Sequence, residues 1–246
     1  MNGSTRLATL AIVPVVIAAT AAAAGPGDGL RGSRHDFTDE VPTVGLCTFC
    51  HTPHKAISTP LIWNHSLSAE TYSWSDPGTT AGTSYPRFNG DSYAGASTRC
   101  LSCHDGTVAI GDIAWYDTGD PGTLYAEKLN DPGDPYRIAQ ASDMSENHPV
   151  AMPYPFARQP STYNGVRTGD AADLQDWQPD PTTTGIRLFS DDDSGVIAVG
   201  PIPGRTGIEC SSCHDPHNMK VEDEHFLRGS LDGGSDRYLC RKCHLK

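Results

Sequence analysis

Apolar side chains are scarce in this chain, and long hydrophobic runs are almost absent. Hydrophobic residues fill 37% of its 246 positions, and only one stretch, near the N-terminus, approaches the length of a membrane span. Long helices and strands are excluded as well, because 25 Gly and 19 Pro break the chain about once in every six residues. Such a composition cannot fill a conventional core, so something other than side chains is expected to occupy the interior. Positive charge is also lacking. Lys and Arg number 18 against 30 Asp and Glu, which argues against nucleic acid as a partner.

The single apolar run has a recognisable form. Arg6 stands in a short polar start, Leu7 to Ala19 is almost wholly apolar, and Thr20 to Gly25 supplies small residues. These are the parts of a secretory signal peptide. Residues 1–24 are therefore expected to be removed, leaving 25–246 as an exported chain with no membrane span. An uncleaved anchor is the rival, but no basic stop follows the run. Without Arg6 the chain carries 17 basic and 30 acidic residues, a formal charge of −13. Acids gather at Asp170, Asp173, Asp176, Asp180 and Asp191 to Asp193, facing only Arg167 and Arg187. The C-terminus is basic, with Arg237, Arg241, Lys242 and Lys246. A solvated surface explains both regions. The sharper alternative is a basic end that meets the acidic flank of another copy.

Eight cysteines in an exported chain would ordinarily suggest four disulfides. Their spacing points elsewhere. They fall as Cys47/Cys50, Cys100/Cys103, Cys210/Cys213 and Cys240/Cys243, each pair followed at once by His51, His104, His214 or His244. On a helical turn, positions i, i+3 and i+4 share one face. Two thiols there can form thioethers to one haem while the next imidazole reaches its iron, and Cys-x-x-Cys-His is the signature of c-type haem attachment. Zinc ribbons, redox-active pairs and structural disulfides compete, but none requires a histidine after every pair. Four covalent haem c groups are the expectation.

Six histidines are left for the other side of the irons. His54 and His217 lie in CHTPH and CHDPH, where proline ends the attachment turn. The second imidazole should leave on a new heading and reach a neighbouring haem. His148, in ENHPVAM, and His35, in SRHDF, are the other two candidate distal ligands. His65 beside Trp63 reads either as a ligand or as a hydrogen-bonding residue. His225, among acids, reads as surface. Met144, Met152 and Met219 would raise a haem potential if they ligated. With histidine in surplus, they are read as packing, and bis-His, low-potential haems are expected.

Taken together, SRHDF, LCTFCHTPH, PLIWNH, CLSCHDGTV, NHPVAMPY, ECSSCHDPH, FLRGS and LCRKCH resemble the motifs that recur in multihaem c-type cytochromes. The chain looks most similar to tetrahaem extracellular cytochromes that polymerise into conductive filaments, the cytochrome nanowires. The resemblance covers roughly residues 33–115 and 145–246, and its individual motifs are shared with periplasmic carriers. It implies haems stacked in alternating parallel and T-shaped pairs, a homopolymer joined by end-to-end haem contacts, and a distal histidine from the next subunit. His35, on the N-terminal arm, is the natural candidate for that last role.

The expected fold is a mostly irregular multihaem cytochrome c fold, one domain over 25–246, with short α-helices, few short strands and the haem stack as its core. The attachment motifs lie 53, 110 and 30 residues apart. A short helix is expected over each motif and near Ser145 to Val150, and a hairpin within Ile186 to Val199. DPG at 131–133 and PIPG at 201–204 signal turns. DDDSG lacks the full calcium-loop pattern. Electron transfer without substrate chemistry is the leading function, exchanging electrons with redox partner proteins or extracellular acceptors. The location is extracellular or at the cell surface in a filament, alternatively periplasmic in a soluble carrier. A multihaem reductase would need an iron with an open distal position, and a zinc-binding structural protein would need no haem at all.

Overall fold

Frequent breakers limit every regular element to a few residues. The computed structural model describes residues 25, 27–54, 56, 60–73, 88–89, 95–114, 125–139, 142–144, 147, 150–167, 174–194, 196–217, 225–234 and 237–245. The expected signal segment 1–24, His148 and Met219 lie outside the described residues. Among those residues the elements in chain order are β1 (Thr71–Tyr72), β2 (Phe88–Asn89), α1 (Ser97–His104), β3 (Met152–Pro153), β4 (Thr162–Tyr163) and β5 (Val166–Arg167). They continue with β6 (Phe189–Asp191), β7 (Ile197–Val199), β8 (Thr206–Ile208) and α2 (Cys210–Cys213). Short 3-10 turns lie between them, the last at Leu239–Lys242. No helix among the described residues is long and apolar enough to cross a membrane.

The largest sheet is antiparallel, in the order β3-β8-β6-β7. Its β6–β7 pair is the hairpin expected within Ile186 to Val199. DDDSG turns it, and the carboxylates serve the turn. Asp191 accepts from Asp193 N–H, Asp192 accepts from Ser194 N–H, each at 2.9 Å, and Asp193 pairs with Arg205. Strand β8 leads directly into α2 and so positions the third attachment motif. Gly207 in β8 is required by packing, because a Cβ there would enter the ring of Tyr163. The PIPG turn closes with Arg205 N–H on Ile202 carbonyl at 2.9 Å, and Gly204 takes a left-handed φ of 81°.

No single apolar core runs through the described residues. Three small clusters take its place, and each includes or touches an attachment motif. Tyr72, Leu101, Ala139, Met144 and Ala151 pack around the second motif. Val44, Phe49, Ile110 and Ile113 pack with Cys50 of the first. Tyr154, Ile186 and Leu188 pack with Trp177, Leu239 and Cys243 of the fourth. Met144 and Met152 are buried among these apolar groups.

The expected helices form unevenly. The second motif lies in α1, the third in the single turn α2, and the fourth in the 3-10 turn. The first motif is not a helix. Only isolated turns form over Leu46 to Cys50, where Leu46 and Phe49 stand in place of the Glu209–Ser212 capping box that starts α2. The helix expected near Ser145 to Val150 falls mostly outside the described residues.

Candidate metal centres

A single backbone bond is common to the first, third and fourth motifs. The histidine N–H donates to the carbonyl of the first cysteine: His51 to Cys47 at 2.9 Å, His214 to Cys210 at 3.0 Å and His244 to Cys240 at 2.9 Å. One α-type turn therefore carries both thiols and the imidazole, while α1 does the same for Cys100, Cys103 and His104. All eight cysteines are free thiols. Burial pushes the Cys50 and Cys213 thiols up to about 11 and Cys243 up to about 12.

The motifs are also neighbours in chain order. The buried Cys103 thiol is raised further by Cys50, and Cys213 by Cys240. Cys210 is raised most by hydrogen bonding with Cys100, whose thiol is therefore in contact. The second motif touches the third, while the first lies near the second and the fourth near the third.

An extended strap holds each proximal histidine. For the first motif, Thr52 N–H donates to Ile62 carbonyl at 2.9 Å and Asn64 N–H to Cys50 carbonyl at 3.0 Å, and His51 Nδ1 donates to Leu61 carbonyl at 2.6 Å. The third repeats the pattern. Asp215 N–H bonds Phe226 carbonyl and Arg228 N–H bonds Cys213 carbonyl, both at 2.7 Å, and His214 Nδ1 bonds His225 carbonyl at 2.7 Å. At the fourth the strap comes from upstream. Leu245 N–H bonds Asp176 carbonyl at 2.8 Å, Gln178 N–H bonds Cys243 carbonyl at 2.9 Å, and the Trp177 ring lies 4.4 Å from that of His244. At the second, His104 Nδ1 donates to Tyr136 carbonyl at 2.6 Å. A carbonyl only accepts, so at His51, His104 and His214 the proton sits on Nδ1 and Nε2 carries the lone pair. Such a bond, from the ring nitrogen that faces away from the metal, orients metal-binding imidazoles.

Two further imidazoles stand opposite these. His217 is stacked on His51 with ring centres 6.1 Å apart, and His35 lies 6.0 Å from His104. Opposite ligands on one metal, with bonds of about 2 Å each, hold their ring centres roughly 6 Å apart. His35 also donates to Pro216 carbonyl. Burial, and then His104, push its pKa down to about 4, so the imidazole is neutral. His54 is exposed at the end of the first motif. His65 is buried, with Nδ1 2.7 Å from the Ser66 carbonyl and Nε2 2.9 Å from the Ala109 carbonyl and 3.4 Å from the Cys103 thiol. His225 is exposed, but its carbonyl orients His214.

These features fit haem. Among the described residues no three His, Cys, Asp or Glu side chains converge on a bare ion. Two of the proximal imidazoles, His51 and His104, have a second imidazole beside them, and two is the number that a haem iron takes in bis-His ligation. Three buried donors near the motifs, Trp63 Nε1, Arg99 Nε and Arg137 Nε, have no hydrogen-bond acceptor among the described residues, and Arg228 Nη2 has the Asp215 carboxylate only at 3.6 Å. Haem carries two propionates, which are natural acceptors for guanidinium. The straps and Glu209, a buried carboxylate beside Cys210, were not legible as functional parts in the sequence. A backbone carbonyl has no sequence signature, and Glu209 lies just outside its motif. No protein-family model matches the chain, and no curated protein is similar to it.

Proposed function

We propose that the chain is a secreted electron-transfer protein that binds four haem c groups covalently through its four Cys-x-x-Cys-His motifs. The reading is carried by the paired imidazoles, His51 with His217 and His104 with His35, at the spacing two axial ligands require. When bound, haem supplies the one-electron iron couple. Paired imidazoles leave no open position for a substrate, which favours transfer over catalysis. Nδ1 bonds to carbonyls make the imidazoles more basic donors, and such ligands stabilise oxidised iron and lower the potential.

The like-built first and third motifs suggest the third pair. Their straps share one register, and His217 of the third reaches His51 of the first. The corresponding residue of the first, His54, is then assigned to His214. The chain-order contacts of the motifs support a linear relay.

The subunit of an extracellular conductive filament is the reading we favour over a soluble periplasmic carrier. Exposed apolar side chains flank the first and last motifs: Leu61 and Ile62 beside His51, and Leu245 next to His244. They would be covered if copies met end to end. Haem quantification with carbon monoxide titration tests the core claim, with four haems per chain and no adduct on reduction expected. Electron micrographs test the filament, which protein monomeric at every concentration would exclude.

A further inference from the structure

Glu209 is 1% exposed, a carboxylate buried where the second and third motifs meet. Its Oε2 accepts from Ser97 N–H at 3.0 Å and from Ser97 Oγ–H at 2.5 Å. Its Oε1 accepts from Tyr163 O–H at 2.6 Å. It also accepts from the backbone N–H of Ser212, whose hydroxyl in turn takes the Glu209 N–H at 2.9 Å. Four donors on one carboxylate match its anionic, acceptor-only form. Ser97 opens α1, three residues before Cys100, and its hydroxyl accepts from Cys210 N–H at 3.0 Å. Ser97, Tyr163 and Ser212 are all buried with it. Arg99 is the cation whose charge responds to Glu209.

We propose that Glu209 is a positioning residue that locks the second and third attachment motifs together, and that its fixed negative charge lowers the potential of the haems they hold. The inference rests on the reading of the motifs as haem-binding. A hydrogen-bonded tie of this kind sets the separation of two motifs whose first cysteines already touch. Its anion is sealed from water, where a charge is weakly screened and favours the oxidised, more positive iron. A neutral amide in the same place keeps the shape and removes the charge.

The experiment is a spectroelectrochemical titration of the mature, haem-loaded protein with Glu209→Gln, beside Glu209→Asp and Tyr163→Phe. Haem content and the low-spin spectrum are measured first. Wild-type protein without haem would defeat the underlying reading rather than this inference. With four haems retained, Glu209→Gln is expected to move one or two of the four midpoints upward and leave the others in place. Glu209→Asp, which keeps the charge, should return them toward the wild-type values. A Glu209→Gln protein with four haems and unchanged midpoints would overturn the inference. Should that variant fail to mature, Tyr163→Phe decides, because it keeps the charge and removes one donor. The same midpoints should then move downward, and midpoints that stay fixed would overturn the proposal.

Discussion

Replacing His217 with alanine removes one imidazole from the pair it forms with His51 across 6.1 Å. The side chain is exposed, and the backbone N–H that bonds the Asp215 carboxylate at 3.3 Å is untouched. Truncation at such a site should change folding stability by about 0.5 kcal/mol or less, apart from the lost iron bond. Proximal attachment through Cys47, Cys50 and His51 is separate, so haem content should stay at four. One iron in four then loses its distal ligand. About a quarter of the low-spin intensity should become high-spin, and reduced protein should take up about one carbon monoxide per chain where wild type takes none. Added imidazole should reverse both changes. The assay is visible and electron paramagnetic resonance spectroscopy on purified protein, with gas titration. Full low-spin intensity and no adduct in this variant would refute the His51–His217 pairing.

Acid should leave ligation by His35 intact until unusually low pH. Its value is lowered from 6.5 to about 4, so the neutral, ligating form persists as pH falls, and an iron bond extends it further. Low-spin absorbance should be flat through neutral and mildly acid pH and fall only near or below 4, whereas a transition centred near 6.5 would contradict this. Gly207→Ala forces a methyl into the Tyr163 ring and should cost about 1–3 kcal/mol, read as a lowered thermal midpoint of the haem-loaded protein. Chain produced without haem attachment should show no cooperative melt by circular dichroism, because three clusters of three to five buried residues are too small to offset the ordering entropy. A sharp melt would show that haem is not the core.

Much of the local chemistry was legible in the sequence because it depends on spacing. The attachment turns, the β6–β7 hairpin around DDDSG and the glycine turns at Gly133 and Gly204 all follow from residues within a few positions of one another. The pairing of histidines was not. His51 and His217 belong to distant motifs, and nothing local says which imidazole faces which. The straps were hidden for another reason. Leu61, Tyr136 and His225 act through carbonyls, which every residue owns, and only the fold selects them. The first motif departed from a helix because it lacks the Glu209–Ser212 capping box that starts the turn of the third, whose proline stands at the same offset. The contacts of His65 were hidden too, since the Ala109 carbonyl and the Cys103 thiol that meet its Nε2 are distant in sequence.

The central claim is that all four motifs carry covalent haem. Intact mass spectrometry of the exported protein under denaturing conditions tests it most directly. The account predicts the mass of residues 25–246 plus four haems, with each haem mapping to one Cys-x-x-Cys-His peptide after proteolysis. A mass equal to the bare polypeptide, or to the polypeptide with disulfides or zinc in place of haem, would contradict it.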